Sequence, residues 1–170
     1  MKFTKMHGAG NDYVYIDATD QGQDCSDWSK LAIVMSDRHT GVGSDGLILA
    51  LKSETSDIRM KMFNSDGSEG EMCGNGIRCL VGFALENGIV SQDTTPVKVE
   101  TLGGEREVTP TWENGKMVWA TVEMGEPSFE VDSIPVVAPG YEMLMNYPLE
   151  VDGYKFEISC VSMGNPHAVA

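Results

Sequence analysis

Residues 73–88 have the sequence CGNGIRCLVGFALENG, and this stretch decides the fold. Its interior, residues 77–85, is apolar on nearly every side of a helix, and a helix without a polar face is buried inside a domain. Asn87 and Gly88 form a helix stop. Segments typical of β-strands lie on both sides of it. The sequence therefore predicts an α+β fold in which a mixed β-sheet wraps around the central buried helix 77–88.

The flanking elements follow from hydrophobic spacing and turn signals. Strands are predicted at residues 2–6, 13–17, 47–51 and 58–63, with a loop HGAGND between the first two. Residues 26–37 predict a capped helix, because Trp28, Leu31, Ala32 and Met35 recur at helical spacing. After residue 95, VKVETL and MVWATVEM predict a hairpin around a WENGK turn. Three prolines then mark an irregular stretch, and YPLEVDGYKFEISCVSMG predicts a last hairpin with an Asp-Gly turn.

Composition excludes several classes of function. The 170 residues include 12 Lys and Arg against 26 Asp and Glu, so a net charge of −14 disfavours nucleic acid and anionic membranes as partners. No apolar run approaches the ~20 residues that span a bilayer. The N-terminus reaches polar and glycine residues too soon for a signal peptide, which predicts a cytoplasmic protein. The four cysteines show no CxxC pair and no Cys/His cluster at zinc spacing, so neither a disulfide framework nor a zinc site is expected.

Cys73 is the candidate for chemistry. It lies between a turn-rich segment and the start of the predicted helix, where free amides stabilise a thiolate. Gly74 and Gly76 leave the backbone bare, so N–H groups could bind a carboxylate beside the sulfur. A thiolate next to a bound carboxylate suits removal of the proton on the α-carbon. The alternative is a buried structural cysteine at a glycine-rich turn, which is what Cys79 and Cys160 are expected to be.

Four motifs, KMHGAGND, RHTGVGSDGLI, FNSDGSEGEMCGNGIRC and SMGNPHAV, occur in order from residue 2 to the end of the chain. Together they resemble the diaminopimelate epimerase family, and the third resembles that family's first catalytic cysteine motif. The resemblance implies a two-base mechanism without pyridoxal phosphate or metal. One cysteine thiolate removes the α-proton and a thiol on the opposite face returns one, which converts LL-diaminopimelate to the meso form, a lysine and cell-wall precursor.

The resemblance also implies residue roles. Cys73 matches one of the two bases, and His167 matches a histidine that tunes the cysteine's protonation. Gly74 and Asn75 match residues whose amides bind the reacting carboxylate. Three asparagines match residues that hold the amino and carboxylate groups of the substrate: Asn11, Asn64 and Asn165. Without the resemblance, the three asparagines would be interpreted as turn residues and His167 as an ordinary strand-end histidine.

The sequence also departs from the family pattern. The second cysteine motif of the ACGTG type, the Glu-Arg pair before it and the arginine for the distal carboxylate are absent. Gly46 stands where some relatives have a glutamine that contacts the substrate. The chain ends in NPHAVA, within an apolar strand pattern, so we expect a truncated polypeptide. Residues 1–123 are then the N-terminal domain, and residues 124–170 begin a second, pseudo-symmetric domain.

Three functions compete. An epimerase acting on diaminopimelate is favoured. Proline racemases typically have His where Asn75 stands, and phenazine-type isomerases use an acidic residue in place of Cys73, so both related enzymes fit less well. A catalytically incomplete half that binds amino acids is the third interpretation, and a homodimer that pairs two such halves is a further hypothesis.

Overall fold

The computed structural model describes residues 1–20, 25 and 27–170. The chain divides into two compact units, Met1–Glu123 and Met124–Ala170, which are described separately. The described part of the first unit contains, in order, β1 (Thr4–Gly8), β2 (Asn11–Asp17), α1 (Trp28–Ser36), β3 (Gly46–Leu51), β4 (Ile58–Asn64), β5 (Glu69–Gly70), α2 (Gly74–Glu86), β6 (Val97–Thr101), β7 (Gly104–Glu113) and β8 (Lys116–Val122). The second unit contains a 3₁₀ turn (Val131–Ser133), β9 (Tyr147–Val151), β10 (Tyr154–Ser162) and β11 (Pro166–Val169).

The first unit is built on one mixed sheet. Its strand order is β1-β2-β3-β4-β6-β7-β8, and β5 pairs with β4. The β2–β3 and β4–β6 pairs are parallel, and the other pairs are antiparallel. A parallel pair needs a crossover connection, and the two helices supply one each. The predicted α+β class with a mixed sheet is confirmed.

Helix α2 is buried inside this sheet. Every residue from Gly76 to Leu85 except Arg78 is buried, and the helix packs against β1 and β2 on one side and β7 and β8 on the other. Strands β1 and β8 are the two edges of the sheet, so the sheet curls until both edges reach the same helix. At Gly82 a side chain would meet Met117 of β8 at 2.7 Å and Met6 of β1 at 3.8 Å. The predicted wrapping of the sheet around a buried helix is confirmed.

Helix α1 covers the opposite face of β2, β3 and β4. Residues of these strands alternate between the two faces, since side chains of a strand point to opposite sides in turn. One set, Tyr13, Tyr15, Ile48, Met60 and Met62, packs in the core around α2. The other set, Val14, Ile16, Leu47, Leu49 and Phe63, packs in the core with α1. The predicted helix is confirmed over Trp28–Ser36, and Asp27 caps it by accepting the Lys30 N–H at 3.0 Å. The predicted range starts at Ser26, which could also cap the helix but lies outside the described residues.

The first hairpin is tighter than the sequence predicts. Instead of a six-residue loop, β1 continues to Gly8 and β2 begins at Asn11. Ala9 and Gly10 alone make the turn, with φ of 53° and 87°. Two positive φ values are what a two-residue hairpin turn requires. The predicted loop was wrong, and the tight turn makes Asn11 the first residue of a strand.

The single hairpin predicted after residue 95 was also wrong, because β7 lies between its two strands. Residues 104–108 of β7 pair with β6, and residues 108–113 pair with β8. Pro110 pairs with Ala120 of β8 and lies beyond the part that pairs with β6. Proline is tolerated where a strand has a neighbour on one side only. The proline explains why local patterning missed this strand.

The second unit is a three-stranded antiparallel sheet in which β10 is central. The predicted hairpin is confirmed: β9 and β10 are joined by Asp152 and Gly153, with φ of 51° and 81°. Ile134, Leu144 and Cys160 form its small core. The proline-containing stretch is irregular, as predicted, apart from the 3₁₀ turn and two isolated bridges. In the described part of the whole chain, no helix is both long and apolar enough to cross a membrane.

Gly8 tests the contact between the first hairpin and α2. A Cβ at Gly8 would lie 2.8 Å from the backbone oxygen of Asn75, which cannot move without shifting the helix start. We expect Gly8→Ala to lower the free energy of unfolding by about 2 kcal/mol, measured by urea denaturation. Gly103→Ala is the matched control, because its Cβ would meet neighbours only at 3.7 Å or more. Equal stability of the two variants would contradict the close approach.

Candidate active site

The sheet brings several predicted site residues together at one end of its strands. The parallel strands β2 and β3 start at this end of the sheet, and the antiparallel strand β4 finishes there. Tyr13, Gly46 and Asn64 therefore lie side by side on adjacent strands. Asn11 is at the start of β2. Helix α2 begins against the last residue of β1, where Gly8 contacts Asn75. At this end of the sheet, the strand ends therefore lie next to the N-terminus of the buried helix.

Cys73 is the N-cap of α2, at the position that the sequence predicts. Its backbone is extended, with φ of −133° and ψ of 114°. Its Sγ accepts the Gly76 N–H at 3.3 Å, and its carbonyl accepts the Ile77 N–H at 2.8 Å. Gly74 and Asn75 occupy the first two helical positions, where amides have no acceptor within the helix. The sulfur is thus partly buried beside backbone donors that have no acceptor within the helix.

Asn11 connects Cys73 to the strand ends. The Cys73 thiol donates to Asn11 Oδ1 at 3.3 Å, and Asn11 Nδ2 donates to Asp45 Oδ2 at 2.7 Å. Neither bond belongs to a local turn, since the partners are 62 and 34 residues away in sequence. The interpretation of Asn11 as a turn residue is therefore wrong.

An ionic network lies behind Asn11. Asp45 Oδ1 accepts from Arg38 Nη2 at 2.8 Å, and Asp45 Oδ2 accepts the Asp12 N–H at 3.0 Å. Arg38 also holds both carboxylate oxygens of Asp12, at 2.7 and 3.2 Å, and Lys5 lies 3.0 Å from Asp12. The Arg38 hydrogen bonds, aided by Lys5, hold the pKa of Asp12 well below its usual range. This network was not predicted from the sequence.

Two buried tyrosines lie under the first turn of α2. Burial raises the pKa of Tyr13, and the neighbouring Cys73 raises it further, so the Tyr13 phenol stays neutral. The Tyr15 hydroxyl donates to the Gly76 carbonyl at 3.2 Å, and burial raises the pKa of Tyr15 as well. The alternation in YVYID places both rings on the α2 face of β2. That alternation is the signal by which the sequence could have found them.

The other cysteines behave as predicted where the structure describes their burial. Cys79 and Cys160 are buried in the cores of the first and second unit, and Cys25 is partly exposed. Burial raises the pKa of the Cys79 thiol. Arg78 is paired within its own helix: it donates to the Gly74 carbonyl at 3.2 Å and to Asn75 Oδ1. Its guanidinium therefore adds positive charge beside the free amides.

The remaining predicted residues make local contacts. Asn64 Nδ2 donates to Ser68 Oγ at 2.9 Å, within the turn after β4. In the second unit, His167 Nε2 and Asn165 Oδ1 are 3.0 Å apart. At Gly46, a Cβ would approach the Phe63 carbonyl oxygen more closely than van der Waals contact, so a larger residue needs a backbone shift. Among the described residues, no group of three His, Cys, Asp or Glu side chains is placed to hold a metal ion.

Two solved structures share the fold of this chain. A probable proline racemase from Agrobacterium radiobacter K84 superposes with a TM-score of 0.63 at 14% identity, over 98% of this chain and 50% of that chain. A hydroxyproline epimerase from Agrobacterium vitis gives a TM-score of 0.63 at 13% identity, with the same coverage of 98% and 50%. At such low identity the similarity shows only that this chain shares the fold of these two proteins.

Sequence comparison identifies the family. The family model described as diaminopimelate epimerase matches residues 3–130. A diaminopimelate epimerase from Acetivibrio thermocellus is 46% identical over 170 residues, which is 100% of this chain and 59% of that protein. One from Methanococcus maripaludis strain C5 is 46% identical over 99% of this chain and 59% of its own length. The chain belongs to the diaminopimelate epimerase family, as its motifs predict, and spans 59% of the length of these relatives.

Cysteine reactivity tests the placement of Cys73. In the native chain, iodoacetamide should modify Cys73 and Cys25 first, and Cys79 and Cys160 roughly a hundredfold more slowly, because the last two thiols are buried. Peptide mass spectrometry over a time course measures each rate. In urea all four should react at similar rates, which is the control. Native modification of Cys79 as fast as Cys73 would contradict the buried helix.

The Asp12 network predicts a pH dependence of stability. Asp12→Asn should lower the free energy of unfolding by about 1–2 kcal/mol at pH 7, a modest value because Arg38 is 54% exposed. The folded pKa of Asp12 lies below its ordinary value of 3.8. The stabilisation is therefore complete above that value and is lost as the pH falls through the folded pKa. Urea titrations from pH 7 to pH 2 should show the variant and the wild type converging.

Exposed Asp93 provides the control for the Asp12 measurement. Asp93→Asn should leave the stability of the first unit unchanged across the same pH range, because no Arg or Lys holds that carboxylate in an ion pair among the described residues. A difference between Asp12→Asn and wild type that stays constant down to pH 2 would show that the charge of Asp12 is not the cause.

Proposed function

We propose that this chain supplies one base of a cofactor-independent epimerase that interconverts LL- and meso-diaminopimelate by two-base proton transfer. The observation that carries the proposal is Cys73 at the N-cap of a buried helix, beside two backbone amides without intrahelical acceptors. Membership of the diaminopimelate epimerase family supports the substrate. The reaction would serve lysine and cell-wall precursor biosynthesis in the cytoplasm.

The chemistry begins with the α-proton. The Cys73 thiolate takes this proton and becomes a thiol, and the electron pair of the broken C–H bond stays on the α-carbon as a carbanion. The free amides of Gly74 and Asn75 bind the adjacent carboxylate and stabilise the charge that spreads onto it. Arg78, hydrogen-bonded to the same turn, adds favourable electrostatics.

The other site residues act on the rest of the substrate. Asn11, with its oxygen directed at Cys73, and Asn64, at the same end of the sheet, would bind amino or carboxylate groups. Asn165 would join them, and His167, within hydrogen-bonding distance of Asn165, would tune the protonation of the cysteine. Residues 124–170, which carry both of these residues, would begin the second, pseudo-symmetric domain.

The other three cysteines of the chain are poor candidates for the second base. Cys79 and Cys160 are buried in separate cores and have no glycine-rich helix start, and Cys25 lies outside any helix or strand. The relatives are longer than the part that this chain matches, and a thiol in that additional length would return the proton from the opposite face. A homodimer is the other source of a second thiol.

Exchange of the α-proton tests the proposal. The chain is incubated with LL-diaminopimelate in heavy water, and the α-proton signal is followed by NMR. We expect exchange that falls at least about a hundredfold in Cys73→Ser, because a base in hydrogen-bonding reach contributes this much. Cys25→Ser, which changes another partly exposed cysteine, is the matched control and should keep the wild-type rate.

Three outcomes separate the alternatives. Exchange that is unaffected by Cys73→Ser would contradict Cys73 as the base. Binding of the substrate without exchange, detected as chemical-shift changes, would favour the catalytically incomplete amino-acid-binding half. Formation of the meso product would show that a second acid is available, and its dependence on protein concentration would show whether a homodimer supplies it.

A further inference from the structure

We propose that Asp45 is a positioning residue: it fixes the Asn11 carboxamide so that the oxygen, and not the nitrogen, faces the Cys73 sulfur. The orientation of Asn11 is a property of the structure without substrate. Only the contribution of this orientation to catalysis rests on the proposed function. Asp45 belongs to the RHTGVGSDGLI motif, and no role was predicted for it from the sequence.

A carboxamide has a donor side and an acceptor side, so a fixed partner on one side determines what the other side presents. An ionised carboxylate only accepts hydrogen bonds. Asp45 Oδ2 can therefore bind only the Nδ2 side of Asn11, which it does at 2.7 Å. The Oδ1 side must then face Cys73, where it lies 3.3 Å from Sγ.

Two donors besides Asn11 hold the carboxylate of Asp45. The Asp12 N–H donates to Oδ2 and Arg38 donates to Oδ1, at 3.0 and 2.8 Å. Arg38 is anchored in turn by both oxygens of Asp12. Since Asp45 is the residue before β3 and pairs through the backbone with the start of β2, its position follows from the sheet. The orientation of Asn11 is thus set by the fold.

The orientation determines which hydrogen bonds the sulfur makes. In general an acceptor that faces sulfur stabilises a thiol and a donor stabilises a thiolate. Cys73 has Asn11 Oδ1 as an acceptor and the Gly76 N–H as a donor, each at 3.3 Å. After proton removal from a substrate, the new S–H bond finds its acceptor already in position. The other titratable or charged groups around the sulfur are Tyr13 and Tyr15 from β2, and Arg78 and Cys79 from α2. Asn11 is neutral, so its orientation acts without a charge of its own.

The first experiment reads the orientation in the unmodified chain. In ¹⁵N-labelled protein, the Asn11 Nδ2 protons should show nuclear Overhauser effects to the Asp12 amide proton, because both groups donate to the same oxygen of Asp45. Overhauser effects from these protons to the Cys73 β-protons, with none to Asp12, would overturn the proposal. This measurement needs no variant and no substrate.

The second experiment separates orientation from charge. Asp45→Ala removes the acceptor and frees Asn11 to turn its donor side to the sulfur. Iodoacetamide alkylation of Cys73 at pH 7 should then accelerate about tenfold, measured by peptide mass spectrometry. Asp45→Asn removes the same charge, but its carboxamide oxygen can still accept from Asn11 and the Asp12 N–H. We expect this matched control to accelerate alkylation less than about threefold.

A double-mutant cycle shows whether the effect passes through Asn11. In an Asn11→Ala background, Asp45→Ala should change the Cys73 rate less than about twofold. Cys25 in the same sample is the internal reference, and circular dichroism checks folding. Equal acceleration by Asp45→Ala and Asp45→Asn, unchanged acceleration in the Asn11→Ala background, or no acceleration in a folded Asp45→Ala chain would each overturn the proposal. If Asp45→Ala does not fold, the Overhauser experiment decides.

Because neither readout uses diaminopimelate, the two proposals fail independently. A chain with the expected Overhauser effects and no α-proton exchange keeps the positioning role and loses the epimerase function. A chain that exchanges the α-proton but alkylates identically with and without Asp45 keeps the epimerase function and loses the positioning role.

Discussion

The structure of the first unit depends on the burial of one helix that has no polar face. Helix α2 must be covered on every side, and a flat sheet covers only one side. The sheet therefore curls until its two edge strands, β1 and β8, both contact the helix. Burial along its length leaves the two ends as the places where α2 exposes polar backbone groups. At its N-terminus those groups are N–H donors without acceptors inside the helix, so burial of α2 in the core also produces the polar site.

The electrostatics of that site are local. The chain as a whole is strongly acidic, with a net charge of −14, which does not favour binding of a carboxylate. Two nearby cations, Arg38 and Lys5, are already paired with Asp12 and Asp45. The donors that face Cys73 are backbone amides at a helix terminus, whose partial positive charge cannot be neutralised by a change of pH. A carboxylate bound at this helix terminus would need no lysine, whose amine would itself compete for the proton.

The separation in sequence between interacting residues explains which features could be predicted. The buried helix and its cap came from residues within one turn of each other, and local patterning is enough for those. Strand β7 was missed because proline is disfavoured inside a strand. Pro110 is tolerated here because β7 has only β8 as a neighbour at that position, which the local sequence does not show. The Ala9 turn was missed because a positive φ at alanine has no sequence signal. Asp45 and Arg38 were missed because their contacts with Asn11 and Asp12 join residues 26 to 34 apart in sequence, and only the sheet brings them together.

The geometry of one unit also limits the chemistry that it can perform. A base on one side of the α-carbon can remove a proton and can return one, but only to the face from which the proton came. Helix α2 presents Cys73 from one direction, with the amides of its first turn beside it. One base in this position would allow exchange with retention of configuration, whereas inversion needs an acid on the opposite face. The division between exchange and inversion is thus a consequence of geometry, and it explains why a scaffold that inverts configuration needs a second group of comparable design facing the first.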